Sequence, residues 1–129
     1  MQKAYTDLEV WQKCRALAAR IYTNSKTFPK DELFGLTNQM RRSAVSVVSN
    51  IAEGCGRNHT KDSLQFFYIA RGSLYELETQ LYIAFDQQFL QEEALHKLLD
   101  DILVCKKLLN GFIKYFQTLT TNNQQPTTN

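Results

Sequence analysis

The sequence predicts an all-α protein, an antiparallel four-helix bundle with up-down-up-down topology. Apolar residues recur along most of the chain at alternating spacings of three and four, which is the period of a helix with one buried face. Acidic residues stand at the start of all four predicted helices, where they face the positive end of the helix dipole. Only five Gly and two Pro interrupt 129 residues, which favours long helices over many short strands.

The first two helices are predicted over residues 7–26 and 30–54. Pro29 suits a first helical turn, because its missing N–H would have no partner there. Gly54 and Gly56 mark the end of the second helix, where a residue with positive φ is easily accommodated. The apolar stripes of the two helices comprise Val10, Cys14, Leu17 and Ile21 in the first, and Leu33, Leu36, Met40, Ala44, Val47 and Ile51 in the second.

The third and fourth helices are predicted over residues 61–87 and 91–119, with Thr60 as the N-cap of the third. Short connections favour antiparallel packing of successive helices, so residues 1–119 form one bundle. Residues 120–129 have no apolar side chain to anchor them, and we expect a disordered polar tail. The two stripes comprise Phe67, Ala70, Leu74, Leu77, Leu81 and Ala84, then Leu95, Leu98, Ile102, Cys105, Leu109, Phe112, Phe116 and Leu119.

Composition excludes several classes of protein. No apolar run approaches the roughly 20 residues of a membrane helix, so no membrane partner is expected. The first residues lack the apolar stretch of a secretory signal, which favours a cytoplasmic location. Three widely spaced cysteines do not indicate a disulfide framework. Cys14 and Cys105 fall on apolar stripes, and we interpret them as small buried hydrophobic residues.

The search for catalytic or metal-binding residues gives one weak match. Glu93 and His96 have the Glu-x-x-His spacing of carboxylate-bridged di-iron bundles, but such a site needs a second copy of the motif. The other histidine, His59, has no Glu three residues before it, and with Cys55 it makes only half of a zinc site. We therefore expect no catalytic residue, no metal site and no cofactor, and hence a non-enzymatic protein.

Some apolar residues lie outside the predicted seams. Phe66, Ile69 and Ile83 point away from the seam of the third helix, and we predict that they form an oligomer interface. Alternatively, the extra apolar residues widen the buried face of the helix so that it contacts two neighbouring helices. This alternative is enough to explain a similar second stripe on the second helix, which begins at Phe34. Arg71 and Glu78 share one flank of the third helix, where each could meet an opposite charge on a neighbour.

Basic residues are concentrated in the first half of the chain. Residues 1–61 contain ten Lys and Arg against five Asp and Glu, whereas residues 62–129 contain five against eight. Such asymmetry permits an anion-binding face, although solvated basic surfaces on two helices would also produce it. Basic side chains in short rows suit sequence-independent contacts with phosphates. The candidate nucleic-acid-binding residues are Lys13, Arg20, Arg41, Arg42, Arg57 and Lys61.

Three segments resemble the bacterial 23S rRNA intervening-sequence protein family, also called the four-helix-bundle protein family. The first segment is DLEVWQK at residues 7–13. The second combines LTNQMRRSA at residues 36–44 with SNIAEGCGR at residues 49–57. The third is YIARGSLYELETQL at residues 68–81, and the whole resemblance extends from about Tyr5 to Phe116.

The resemblance implies an all-α bundle that assembles as a barrel-like homopentamer. Members are encoded within intervening sequences of large-subunit rRNA genes or stand alone in bacterial genomes. A related branch comprises the accessory variability proteins of diversity-generating retroelements, which bind nucleic acid and a reverse transcriptase. The chain departs from the family at residues 87–90, where QQFL replaces the expected Gly-Tyr type of turn, and this change bears on loop shape.

Two functional hypotheses follow. The first is a non-enzymatic homo-oligomer that associates with rRNA, or with other RNA or DNA, through basic residues repeated around the assembly. The second is a protein-interaction scaffold that partners another polypeptide, such as a reverse transcriptase, without contacting nucleic acid. Surplus apolar residues and a net charge of only +2 favour the second hypothesis.

Overall fold

Four helices account for most of the chain in the computed structural model, which describes residues 4–123. They are α1 (Glu9–Ser25), α2 (Asn38–Cys55), α3 (Thr60–Asp86) and α4 (Glu92–Asn123). Each helix packs against its neighbours in sequence, and α1 also packs against α4, which closes the bundle. Residues 4–123 contain no strand, and the predicted all-α four-helix fold is confirmed.

The core consists of the apolar stripes that the helical period predicts. From α1 they are Val10, Cys14, Leu17 and Ile21, and each of the other helices contributes a matching row. In the last turns of α4 the pattern is wrong in detail, because Ile113 is buried while Phe112 and Phe116 are only half-buried. These two rings instead flank Phe67 of α3, with centroids 4.9 Å from it in each case.

The second helix is not continuous over residues 30–54 as the sequence predicted. A short turn at Lys30–Glu32 leads into a kinked segment, Leu33–Thr37, in which Gly35 has φ −112° and ψ −115°. The Glu32 carboxylate accepts a hydrogen bond from the Leu36 backbone N–H, which caps the helix that restarts beyond the kink. Since the kink removes Leu33 from the α2 seam, this residue is 47% exposed and the neighbouring Phe34 is 91% exposed.

Gly54 lies where α2 and α3 approach each other most closely. A Cβ at this position would lie 2.3 Å from Cε1 of Phe67 and 2.9 Å from the carbonyl oxygen of Ser63. Gly54 is therefore required for close packing. The sequence had assigned Gly54 and Gly56 to a turn with positive φ, but Gly54 is helical and Gly56 has φ −87°. The predicted N-cap is also wrong, because Thr60 is the first residue of α3 and His59 precedes it.

Helix α3 ends in a turn that puts a non-glycine residue in the left-handed region, with φ 67° at Gln88. The Phe89 N–H donates to the Ala84 carbonyl and the Gln88 N–H donates to the Phe85 carbonyl, both at 2.9 Å. This is the hydrogen-bond pattern of a Schellman motif, in which glycine usually takes the left-handed position. The same turn carries the departure from the family pattern at residues 87–90.

Helix α4 is longer than the sequence predicted, since it continues to Asn123 instead of ending at 119. Residues 120–123, assigned to a disordered tail, are therefore helical, and residues 124–129 lie outside the described part of the chain. Between α3 and α4, the predicted charge pairing is confirmed for Glu78, which meets Lys106 Nζ at 2.7 Å. Arg71 instead donates a hydrogen bond to the neutral Asn110 Oδ1 at 3.2 Å. Within residues 4–123, no helix has the length and apolar character needed to cross a membrane.

Candidate nucleic-acid interface

A cleft of about 970 Å³ opens between α2 and α3 at the end of the bundle where α2 begins. Its lining is mostly polar and comprises Tyr22, Asn38, Gln39, Arg41, Arg42, Ser43, Val45, Ser46, Ser73, Glu76 and Gln80. We call it the α2–α3 cleft. The floor is closed by a hydrogen bond between the hydroxyls of Ser46 and Ser73, which are 2.8 Å apart.

Arg41 is held in place at the edge of the α2–α3 cleft. Its Nε–H donates to Ser25 Oγ at 2.9 Å, and its guanidinium carbon lies 4.8 Å from the centroid of the Tyr22 ring. Ser25 is itself buried and donates its hydroxyl to the Tyr22 carbonyl. Because the fixed contacts use Nε and one face of the guanidinium, the two terminal nitrogens remain available to a ligand.

Arg42 follows Arg41 in the chain and lines the same cleft, but its side chain is exposed. Within residues 4–123, neither arginine forms an ion pair with a carboxylate. Glu76 supplies the one carboxylate of the lining, so the cleft keeps a net positive charge. Two adjacent arginines without acidic partners suit an anion with several oxygens, such as a phosphodiester.

Uncharged polar groups complete the lining. Asn38 and Gln39 present exposed amide side chains at the start of α2. Gln80 of α3 reaches the cleft from the other side, and its Oε1 is buried with no hydrogen-bond donor among the described residues. A buried acceptor without a donor carries a free-energy cost that a donating ligand would remove.

The other predicted basic residues lie elsewhere on the bundle. Lys13 and Arg20 line a small opening between α1 and α4, where Arg20 pairs with Asp101 of α4 at 3.4 Å. Arg57 pairs with Glu53 at 3.6 Å, and its guanidinium lies 4.4 Å from the centroid of the Phe66 ring. Lys61 is exposed in the first turn of α3. Arg20 and Arg57 therefore offer less free charge than the sequence suggested.

The six predicted residues thus form three separate pairs instead of one patch. Arg41 and Arg42 are the fourth and fifth residues of α2, whereas Arg57 lies two residues beyond its end, about 20 Å farther along the helix axis at 1.5 Å per residue. Lys13 and Arg20 belong to the α1–α4 side. A single phosphate cannot reach two of these pairs, so one subunit offers the α2–α3 cleft as its best anion site.

The apolar residues assigned to an oligomer interface differ in exposure. Ile69 is 52% exposed and Ile83 is 44% exposed on the outer part of α3. A shallow groove of about 390 Å³ on the same helix is lined by Gly72, Tyr75, Glu76, Thr79 and Gln80. A Cβ added at Gly72 would meet no atom within 4 Å. Phe66 is half-buried and covered by the Arg57 guanidinium, which leaves it less free apolar surface than the two isoleucines.

The one metal-like spacing has a local explanation. His96 Nε2 lies 3.4 Å from a carboxylate oxygen of Glu92, one helical turn before it, so the histidine pairs with Glu92 and not with Glu93. Both side chains are exposed near the start of α4. Within residues 4–123, no three His, Cys, Asp or Glu side chains are grouped as metal ligands.

Sequence reasoning missed the contribution of α3 to the cleft. Ser73, Glu76 and Gln80 follow one another at helical spacing on the flank of α3 that faces α2. That row of polar residues beside an apolar seam was the available signal. The surface that faces Arg42 across the cleft depends on how the two helices diverge, which the sequence alone does not give.

Residues 6–111 match a family model described as 23S rRNA-intervening sequence protein. The chain is also similar to a crystal structure from Bacteroides thetaiotaomicron, described as a protein with unknown function from the S23 ribosomal protein family. The identity is 25% and the TM-score 0.75, and the match covers 81% of this chain and 95% of the other. None of the curated proteins matches the chain.

Proposed function

This chain belongs to the 23S rRNA-intervening sequence protein family, and we propose that it is a non-enzymatic, self-associating protein that binds RNA at the α2–α3 cleft. The observation that carries the proposal is the pair Arg41 and Arg42, which lines the cleft without an acidic partner in residues 4–123. The family is named for the intervening sequence of 23S rRNA, which makes RNA the first nucleic acid to test, and a cytoplasmic location is part of the proposal.

The expected mode of binding has two parts. The guanidinium groups of Arg41 and Arg42 contact phosphate oxygens, which gives affinity that depends on salt and not on sequence. A change of the Gln80 rotamer brings its buried Oε1 to the surface of the cleft, where it accepts a hydrogen bond from a 2′-hydroxyl or a base amino group. Each subunit carries three dispersed pairs of basic residues. In an oligomer these pairs are repeated, so their modest electrostatic potentials add up to a strong positive potential.

Self-association uses the exposed side of α3. Ile69 and Ile83 are each close to half exposed, and large apolar side chains in such positions often mark an interface between subunits. The homopentamer that the resemblance implies is the form we expect. Light scattering during size-exclusion chromatography measures the mass directly, and a value near five times 15.0 kDa is the expected result. A monomer at micromolar concentration would contradict this part of the proposal.

The RNA part is tested by an electrophoretic shift with a structured fragment of 23S rRNA. The variant Arg41→Ala/Arg42→Ala is expected to bind at least tenfold more weakly than the parent protein, since each charge-assisted contact contributes about 1.5 kcal/mol or more. The matched control is Lys107→Ala/Lys114→Ala, which removes two exposed charges from α4 outside all the predicted sites. Equal losses in the two variants would show that only net charge matters and would contradict the cleft.

A second candidate function is the scaffold hypothesis, in which the exposed α3 surface holds another polypeptide such as a reverse transcriptase. The observation that favours it is the 390 Å³ groove beside Gly72, on the helix that also carries the two exposed isoleucines. Absence of any shift with RNA, together with a stable complex that Ile69→Ser/Ile83→Ser disrupts, would select this function over the first.

A further inference from the structure

Glu76 is the one acidic side chain among the described residues that line the α2–α3 cleft. It is exposed on the α3 side of the cleft, and none of the ion pairs within residues 4–123 includes it. A carboxylate repels the phosphates that Arg41 and Arg42 attract, so it would weaken a cleft that bound phosphates alone. Glu76 therefore indicates a second part of the ligand, one that carries hydrogen-bond donors.

The hydrogen bond between Ser46 and Ser73 shows which residues face each other across the cleft. The helices α2 and α3 run in opposite directions, since successive contacts between them join later residues of α2 to earlier residues of α3. Arg42 lies about one helical turn before Ser46, and Glu76 lies about one turn after Ser73. Arg42 and Glu76 therefore stand at the same level on opposite sides of the cleft, yet they form no ion pair with each other.

The space between these two side chains has room for more than a phosphate. The cleft volume of about 970 Å³ is at the upper end of the roughly 300–1,000 Å³ that small-molecule sites occupy. Val45 of α2 is 43% exposed and adds an apolar surface to the lining, three residues from Arg42. A nucleobase combines an apolar face with a polar edge, so its face can lie against Val45 while its edge meets Glu76.

The chemistry of Glu76 selects among the four bases. A carboxylate has two acceptor oxygens and no donor, and it binds best to two N–H groups that point in the same direction. Guanine has such a pair on its Watson–Crick edge, N1–H and the N2 amino group. Adenine and cytosine have an acceptor nitrogen beside their amino group, and uracil has a carbonyl on each side of its N–H. Since base pairing uses this edge of guanine, only an unpaired guanine offers both donors.

We propose that the α2–α3 cleft binds one unpaired guanosine nucleotide of an RNA strand. Its phosphate lies on Arg41 and Arg42, its base lies against Val45, and N1–H and the N2 amino group donate to the two oxygens of Glu76. The inference rests on the proposed function and deepens it, because it states which part of an RNA enters the cleft. Structured RNA exposes such guanines in loops and bulges.

The test is fluorescence anisotropy of the wild-type protein with labelled single-stranded RNAs of about 12 nucleotides, all uridine except for one central base. Guanine at that position should bind about tenfold more tightly than adenine, because a good bidentate contact discriminates bases by that amount or more. Inosine lacks the N2 amino group and keeps N1–H, so it should bind about threefold to tenfold more weakly than guanine. Annealing each strand to its complement should abolish the preference, because pairing hides the Watson–Crick edge.

The variant Glu76→Gln separates the base contact from the phosphate contacts. The glutamine amide keeps one acceptor oxygen, which N1–H of guanine and of inosine can both reach, so the variant should bind these two RNAs equally. It should bind the all-uridine RNA at least as tightly as the wild type does, because the repulsion of phosphates is removed. Glu9→Gln is the matched control and should keep the guanine preference, since Glu9 is exposed at the start of α1, at the opposite end of that helix from Tyr22.

The outcomes distinguish this inference from the proposed function. Equal binding of the guanine, adenine and inosine RNAs by the wild type would overturn the inference alone, and so would a guanine preference that survives in Glu76→Gln. Failure to bind any of these RNAs, with the structured 23S rRNA fragment still shifted, would also overturn only the inference. Failure to bind either kind of RNA would overturn the proposed function as well.

Discussion

The two ends of the α2–α3 interface are built in opposite ways. At one end, Gly54 lies so close to Phe67 that not even a methyl group fits between them. At the other end the same helices diverge around the 970 Å³ cleft, which Arg41 of α2 and Gln80 of α3 both line. Both ends belong to one pair of helices, yet one end is closely packed and the other is open to ligands.

The difference separates stability from function along a single interface. At the packed end, Phe67 is wedged between Phe112 and Phe116 of α4, which fixes the positions of three helices together. The open end contributes little apolar contact and keeps a buried acceptor, Gln80 Oε1, without a donor in the described chain. Substitutions at the packed end should therefore change folding, and those at the open end should change binding.

The largest effect is expected from Gly54→Ala. The new methyl group would overlap the Phe67 ring and the Ser63 carbonyl, and the ring cannot move because two other rings enclose it. We expect a loss of about 3 kcal/mol in the free energy of unfolding, measured by urea denaturation. The matched control is Gly72→Ala, which meets no atom and should raise stability by up to about 1 kcal/mol. Equal effects of the two substitutions would contradict the contrast between the ends.

Gln88→Gly tests the turn that follows α3 beyond the open end. The left-handed backbone at Gln88, with φ 67°, is unfavourable for any residue with a Cβ and free of that penalty for glycine. We expect the free energy of unfolding to rise by about 1 kcal/mol. Thermal denaturation provides the measurement, and a lower melting temperature for the variant would contradict the assigned backbone conformation.

Ser73→Ala tests the hydrogen bond at the floor of the cleft, where the packed and open parts meet. Ser46 would lose its partner at 2.8 Å but would keep the Asn50 side-chain donor at 3.1 Å. The expected loss is therefore only about 0.5–1 kcal/mol in the free energy of unfolding. A loss as large as that of Gly54→Ala would show that the Ser46–Ser73 hydrogen bond, and not the close contact at Gly54, determines how α2 packs against α3.

Gln80→Met should have the smallest effect on stability and a clear one on binding. Replacing a half-buried amide whose buried acceptor lacks a donor should leave the free energy of unfolding unchanged or raise it by up to about 1 kcal/mol. The RNA complex should weaken severalfold, because the ligand loses its hydrogen-bond acceptor. Chemical denaturation and an RNA shift assay on the same preparation check both halves, and unchanged affinity would remove Gln80 from the site.

The parts of the fold that depend on local period were predictable, and those that depend on crossing geometry were not. The α1 seam from Val10 to Ile21 follows from helical spacing alone. Gly54 is required because the Phe67 ring of α3 lies opposite it. The sequence analysis wrongly explained this glycine by a turn at the end of the second helix. The kink at Gly35 was missed, because a glycine inside an apolar helical pattern is usually tolerated.

The candidate site divides in the same way. The sequence shows that α2 carries adjacent arginines. Whether their charge is available to a ligand depends on which carboxylates lie near them in the folded chain. Arg41 and Arg42 have no acidic partner in the described chain, whereas Arg20 meets Asp101, far away in sequence. Periodicity places a side chain on a face of its helix, and it does not say which side chain of another helix lies opposite.

The central claim is that the open end of the α2–α3 interface binds phosphates through Arg41 and Arg42. The most direct test is the slope of the logarithm of RNA affinity against the logarithm of salt concentration, for the parent protein and for Arg41→Ala/Arg42→Ala. Each phosphate contact contributes about 0.7–0.9 to the magnitude of the slope, so the double variant should have a slope smaller by roughly 1.4–1.8 per subunit engaged, with Lys107→Ala/Lys114→Ala unchanged. Identical slopes for the parent and Arg41→Ala/Arg42→Ala would contradict the claim.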